Sequence, residues 1–246
     1  MGNQNSNNKK KIKKSNAKKK TKYVYILVSK TSTLPSNVIQ RWTKEPYAHT
    51  SLALDLELKE MYSFARKKLN NPFNCGFISE DITSGVFGRD VDTKCKIMRL
   101  LITQGQYKKI LKNLDRFKKE SSLYRYNYLG ILGIMVNKPV EREYNYFCSQ
   151  FVFQILAKSG VPMFNKEPGL VRPEDFRVWD KLELIYEGKL NEYRRFLSEN
   201  WPVDESTGEY IENIQLPLLK KDKVINIDEE EVKEDEVVNT REALMM

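Results

Sequence analysis

Apolar positions along the chain fall into runs, alternations and helical stripes. Tyr23 to Val28 is a nearly unbroken β-branched and aromatic run, the pattern of a buried strand. Ala48 to Asp55, beginning at His49, and Lys59 to Arg66 read as two further strands, close enough to pair as a hairpin. Cys95 to Ile102 is a fourth, with Ile97, Met98, Leu100, Leu101 and Ile102. From Gln106 to Glu120, Tyr107, Ile110, Leu111, Leu114 and Phe117 recur at helical period with lysines opposite, which predicts an amphipathic surface helix. Phe151, Val152, Ile155 and Leu156 predict a helix that opens at Cys148 and stops at Ser159-Gly160. Ser32-Thr33-Leu34-Pro35 is a helix start with Val38, Ile39 and Trp42 on one face. Arg172-Pro173-Glu174-Asp175-Phe176 opens a short helix, Leu182 to Tyr186 is a last strand, and Asn191 to Leu197 a last helical turn or two. Asn70 to Gly88 is crowded with turn residues and is expected to be a long irregular connection. Leu123 to Val136 is aromatic and apolar and is expected to pack near Cys148. The class is α+β, an antiparallel sheet packed on the Cys148 helix, with no internal repeat.

Charge divides the chain into three. No acidic residue occurs from Met1 to Lys44, and nine lysines crowd Lys9 to Lys22. Asp228 to Glu236 is almost entirely acidic. Both ends lack the apolar periodicity that offsets the entropy of ordering, so residues 1–21 and 203–246 are expected to be disordered, dispensable tails on a domain spanning 22–202. The basic arm from Lys9 to Lys22 suits an anionic membrane surface. Nucleic acid is a weaker match, and no pattern speaks to oligomeric state.

Met1-Gly2-Asn3-Gln4-Asn5-Ser6 matches the N-myristoylation pattern at Gly2, with the lysine run as a second anchoring signal, in any host that carries the acylating enzyme. No apolar segment follows the basic start, so no secretory signal is expected. Three widely spaced cysteines, Cys75, Cys95 and Cys148, form neither a disulfide framework nor a zinc pattern. A reducing, cytoplasmic setting follows, with peripheral attachment to a membrane through the arm. No metal or cofactor is expected.

The candidate chemistry is a cysteine and a histidine. Cys148 lies in Tyr146-Phe147-Cys148-Ser149-Gln150-Phe151-Val152, at the start of its helix, where free N–H groups and the helix dipole favour a thiolate. A thiolate needs a base, and His49 is the one imidazole in the chain. Cys95 reads as core and Cys75 as a loop thiol.

These residues also carry a resemblance. Pro46-Tyr47-Ala48-His49-Thr50-Ser51-Leu52-Ala53-Leu54-Asp55, then Met61-Tyr62-Ser63-Phe64-Ala65-Arg66, then Phe147-Cys148-Ser149-Gln150-Phe151-Val152 resembles the circularly permuted NlpC-like papain-fold hydrolases, the YiiX/YebB-like group related to the lecithin:retinol acyltransferase-like enzymes. The resemblance spans roughly residues 22–201, and its most specific part is the Cys-Ser-Gln-Phe-Val block. It implies a permuted papain-like (NlpC-like) fold and a thiol hydrolase or acyltransferase acting on an amide, ester or thioester. Cys148 would be the nucleophile and His49 the general base. The family's third group is a polar residue on the strand after the histidine strand, orienting the imidazole through its far nitrogen. That strand offers Tyr62 and Ser63, with Glu60 near the turn. Ser63 shares His49's face if the hairpin has no bulge, and so is the choice, although papain-like enzymes carry Asn, His or an acid there. Tyr126 and Tyr128 resemble substrate-side tyrosines. The alternative is a catalytically inactive module of the same fold that binds a lipid or peptide at an anionic membrane surface.

Overall fold

The computed structural model describes residues 20–30, 46–68, 71–212 and 214. Gly2, the lysines from Lys9 to Lys19, the helix expected from Ser32, and the acidic run from Asp228 lie outside them. Six strands form one antiparallel sheet: β1 (Thr21–Lys30), β2 (His49–Ala53), β3 (Met61–Lys68), β4 (Asn71–Glu80), β5 (Lys94–Thr103) and β8 (Glu183–Lys189). Their order across the sheet is β4-β3-β2-β1-β5-β8. β6 (Arg125–Tyr126) and β7 (Asn145–Tyr146) make a separate short parallel pair. The α-helices among the described residues are α1 (Gly85–Arg89), α2 (Gln104–Lys119), α3 (Tyr128–Met135), α4 (Cys148–Lys158), α5 (Pro173–Arg177) and α6 (Tyr193–Asn200).

β1 explains its own sequence. It is central, and Val24 to Val28 are all fully buried, because both faces of the sheet are covered. A two-sided strand has no polar face, hence the unbroken apolar run. On one face Val24, Ile26 and Val28 join Leu52, Phe64 and Phe77 beneath α2 and α4. On the other, Tyr25, Leu27, Ala53 and Met61 pack with Ile97, Phe87 of α1 and Tyr193 and Leu197 of α6. The α4 stripe Phe151, Val152, Ile155 and Leu156 covers the first of these faces, as its helical spacing requires. Phe151 is the pivot: its ring lies 5.3 Å from Phe64 and 5.1 Å from Phe117, tying α4 to β3 and α2 at once. The start of α4 is thereby fixed against β2.

Two expectations fail on particular residues. Asn70 to Gly88 is not an irregular connection, because most of it is β4, paired with β3 from Met61↔Glu80 to Arg66↔Cys75 and on, past a bulge, to Lys68↔Asn71. Cys75 is therefore a buried strand thiol and not a loop thiol. The boundaries of the domain also move. Thr21 already pairs with Thr103, so β1 begins inside the stretch assigned to the basic arm. At the other end the chain packs well beyond Pro202. Arg99, 2% exposed in the sheet, donates to Glu183 Oε2 at 2.7 Å and to the carbonyls of Glu212 at 2.9 Å and Ile214 at 2.8 Å. Trp201 Nε1 donates to Ile211 O at 2.9 Å. A buried guanidinium needs several acceptors, and Glu212 and Ile214 supply two of them.

Candidate active site

The site forms where β2 and α4 begin, with Glu80, level with the far end of β2, reaching back toward it across β3. β2 is five residues long and wholly buried. Leu52 faces α4, so by alternation His49, Ser51 and Ala53 face the opposite side. His49 is the first residue of this interior strand, so its ring sits at the strand's end, beside the arriving start of α4. Cys148 is the first residue of α4 and is 4% exposed, and its Sγ points at Ala48 O at 4.0 Å. The Cys148 thiol lies near enough to His49 to help hold its imidazole in the charged form. Phe147, just ahead of the helix, supplies no side-chain acceptor to the first turn, which leaves that turn's N–H groups uncapped beside the thiol. Ser149 Oγ donates to Val171 O at 2.7 Å, pinning the same turn to the loop before α5.

The far side of the imidazole belongs to Glu80, the last residue of β4. His49 Nε2 lies 2.9 Å from Glu80 Oε1, and Ser51 Oγ donates to the other carboxylate oxygen while standing 3.2 Å from Nε2. Both partners of the ion pair are buried. Ser63 is fully buried, and its influence falls on Glu80, whose ionised form it favours; its hydroxyl makes no hydrogen bond of normal geometry. The residue that holds the imidazole is therefore Glu80 and not Ser63, and it sits two strands from β2, not one. Glu80 reaches His49 because glutamate is long and the strand between offers small side chains at Ser63 and Ala65.

Electrostatics follow the geometry. Burial opposes a charged His49, but the Glu80 carboxylate and the hydrogen bonds to Cys148 and Glu80 outweigh it, and the imidazole is raised to about 10. Burial likewise opposes a charged Glu80, and the charge and hydrogen bond of His49 with those of Ser51 outweigh it, so the carboxyl is lowered. The imidazolium–carboxylate pair is the state of neutral pH. Its stabilisation through His49 is complete below about pH 6.5 and is lost as pH rises through about 10. The Glu80 part is present above its unfolded value and is lost as pH falls through the lowered folded one. Thermal melts across pH are thus expected to decline on the alkaline side well before lysines titrate in bulk. A Glu80→Gln chain should show a flatter alkaline limb, and an unchanged limb would rule out the pair as its cause.

The other expected site residues separate. Tyr126 pairs with Tyr146, two residues ahead of Cys148, and burial pushes its hydroxyl up, with the charges of Cys148, Cys75 and Tyr128 adding to it. Tyr128 stands one step further out, its ring 4.9 Å from that of Tyr126 and its hydroxyl bonded to Cys75. Tyr62 is not at the site. It faces the helices, stacked on Phe77 at 6.0 Å with Lys118 Nζ 4.6 Å over its ring. Asn127, fully buried, connects the tyrosine segment to α4: its Nδ2 donates to Val140 O at 2.8 Å and meets Gln150 Oε1 at 3.5 Å. Lys22 belongs to β1 and places its ammonium 5.1 Å from the Tyr107 ring centroid. Among the described residues no group of His, Cys, Asp and Glu has the makings of a metal site, and no helix is long and apolar enough to cross a membrane.

No protein-family model matches the sequence, and no curated protein does.

Proposed function

We propose that this protein is a cysteine hydrolase or acyl-transferring enzyme of permuted papain-like fold, acting on an amide, ester or thioester. The observation that carries the reading is the single imidazole, buried between a helix-start cysteine and a buried carboxylate. This is the nucleophile, base and orienting group of a triad, recognised by roles and not by chain order. Cys148 attacks as the thiolate partner of the His49 imidazolium, and sulfur adds to the substrate carbonyl carbon. The carbonyl electrons move to oxygen, which the Cys148 backbone N–H is placed to meet. The oxygen electrons return, the bond to the leaving group breaks, and His49 gives that group its proton. The resulting thioester is opened by water or by an acceptor alcohol, amine or thiol. His49, neutral after that step, removes the acceptor's proton as the acceptor adds to the thioester carbonyl, and sulfur departs as the thiolate, which restores the pair with the imidazolium. Glu80 holds Nε2 throughout and stabilises the imidazolium in both half-reactions. The reaction as written needs neither metal nor cofactor.

A thiol-directed activity probe tests the reading. Wild type should label at Cys148 at neutral pH, and Cys148→Ala and His49→Ala should abolish that label. Cys75 and Cys95 supply the internal contrast, since burial pushes both thiols up. Equal labelling of all three cysteines, or labelling of Cys148 that is indifferent to His49, would favour the inactive binding module instead.

A further inference from the structure

The segment leading into the site carries an exposed apolar face that the proposed chemistry does not use. Leu123, Tyr128, Leu129, Leu132 and Val136 are between 37% and 65% exposed, half of the large exposed hydrophobics among the described residues. They are not scattered. Leu129, Leu132 and Val136 fall at i, i+3 and i+7 along α3 and its C-terminal cap, a single outward stripe. Gly130 and Gly133 are the buried inner side, against Asn127 and Phe147 and against Val140. The eight residues of α3 include no charged or strongly polar side chain. The helix is also fixed in place: Asn127 caps it through Gly130 N at 3.0 Å and meets Gln150 of α4 on its other side. An apolar stripe is thus held rigidly two residues past Tyr126, itself beside Cys148.

The edge of this face is basic. Lys67 Nζ donates to Ser121 O at 3.4 Å and Arg125 donates to Ser122 O, so two cations sit on the turn just ahead of Leu123. They stand near enough that Arg125, together with burial, lowers the Lys67 ammonium. An anion between the two would relieve that repulsion. Exposed Lys138 follows the other end of α3. An apolar stripe with cations at its margin matches the cross-section of an anionic bilayer, with acyl chains inside and phosphate at the boundary. A protein partner would equally cover the leucines but would not account for the crowded, like-charged edge.

We infer that the α3 face, with Leu123 and the Lys67–Arg125 edge, seats this protein in the interfacial layer of an anionic lipid membrane. The side chains enter the acyl region without spanning it, which places the Cys148 site at the membrane surface. Orientation toward lipid-borne acyl groups rests on the cysteine-enzyme reading, but the docking does not.

Vesicles of phosphatidylglycerol and phosphatidylcholine, sedimented with the full chain, test it. Wild type should bind, and a fraction of that binding should survive high salt, because screening removes the contribution of lysines but not of buried leucines. Leu129→Asp with Leu132→Asp should weaken binding by at least about tenfold at high salt, with an unchanged melting temperature. Lys67→Glu with Arg125→Glu should remove the preference for anionic over pure phosphatidylcholine vesicles that the face contributes. Cys148→Ser should bind like wild type, so loss of the enzyme reading and loss of the docking face are separable. Should the double aspartate chain melt early, Leu132→Trp reports instead, through fluorescence quenching by lipids brominated in their acyl chains. Binding by the double aspartate chain equal to wild type, or no quenching, would overturn the inference and leave the basic arm as the anchor. Loss of self-association in place of vesicle binding would overturn it too, and would assign the face to a second copy.

Discussion

Glu80→Ala is expected to slow turnover by about 10²-fold or more, the range in which an acid–base group contributes. The substitution removes the acceptor of Nε2 and the charge that holds His49 as imidazolium in a buried site. Only Ser51, at 3.2 Å, then remains on that nitrogen. Glu80→Gln keeps an acceptor and removes the charge, so it should fall between wild type and Glu80→Ala. Ser63→Ala acts only through Glu80 and should cost far less. Steady-state rates on any substrate identified with the activity probe check this order. Equal effects of Ser63→Ala and Glu80→Ala would show that the carboxylate is not the orienting group.

Ending the chain at Pro202 is expected to destabilise the domain by roughly 3 kcal/mol or more, two charge-assisted hydrogen bonds at about 1.5–3 kcal/mol each. Arg99 would lose the carbonyls of Glu212 and Ile214, and Trp201 that of Ile211, while the guanidinium stays buried beside Glu183 and the Tyr23 ring. For a domain of this size the midpoint should fall by roughly 5–10 °C. A chain ending after residue 214 should melt near full length, and the same midpoint for both ends would show that residues 203–214 contribute nothing.

These two results bear on residues that the sequence hid for physical reasons. The strands with strong apolar patterns, β1, β2, β3 and β5, were legible, as were α2 and α4. Local periodicity reports burial of a face, and these elements bury one or both. Cys148 and His49 were legible because each has a local context. Glu80 had none. Its strand opens on Asn71-Pro72 and carries Gly76, so turn chemistry masked an alternation in which Cys75 and Phe77 bury one side while Ile78 and Glu80 take the other. The alternation was the available signal, and the glycine obscured it: Gly76 permits close approach of Tyr124 O, which a Cβ would meet at 2.9 Å. Residues 211–214 were misassigned for a different reason. Glu212 and Ile214 contribute backbone carbonyls to Arg99 and Ile211 one to Trp201, and carbonyls leave no trace in a side-chain pattern.

The coupling of Cys148, His49 and Glu80 has a direct reporter, since one histidine in the chain gives one imidazole signal. Nuclear magnetic resonance titration of the ¹⁵N-labelled ring measures its charge and which nitrogen carries the proton. In wild type His49 should remain imidazolium through neutral pH and titrate at about 10. The midpoint should drop in Glu80→Gln and also in Cys148→Ala, because both partners hold the proton on the ring. A wild-type midpoint near 6.5, insensitive to either substitution, would contradict the coupled site and the cysteine-enzyme reading with it.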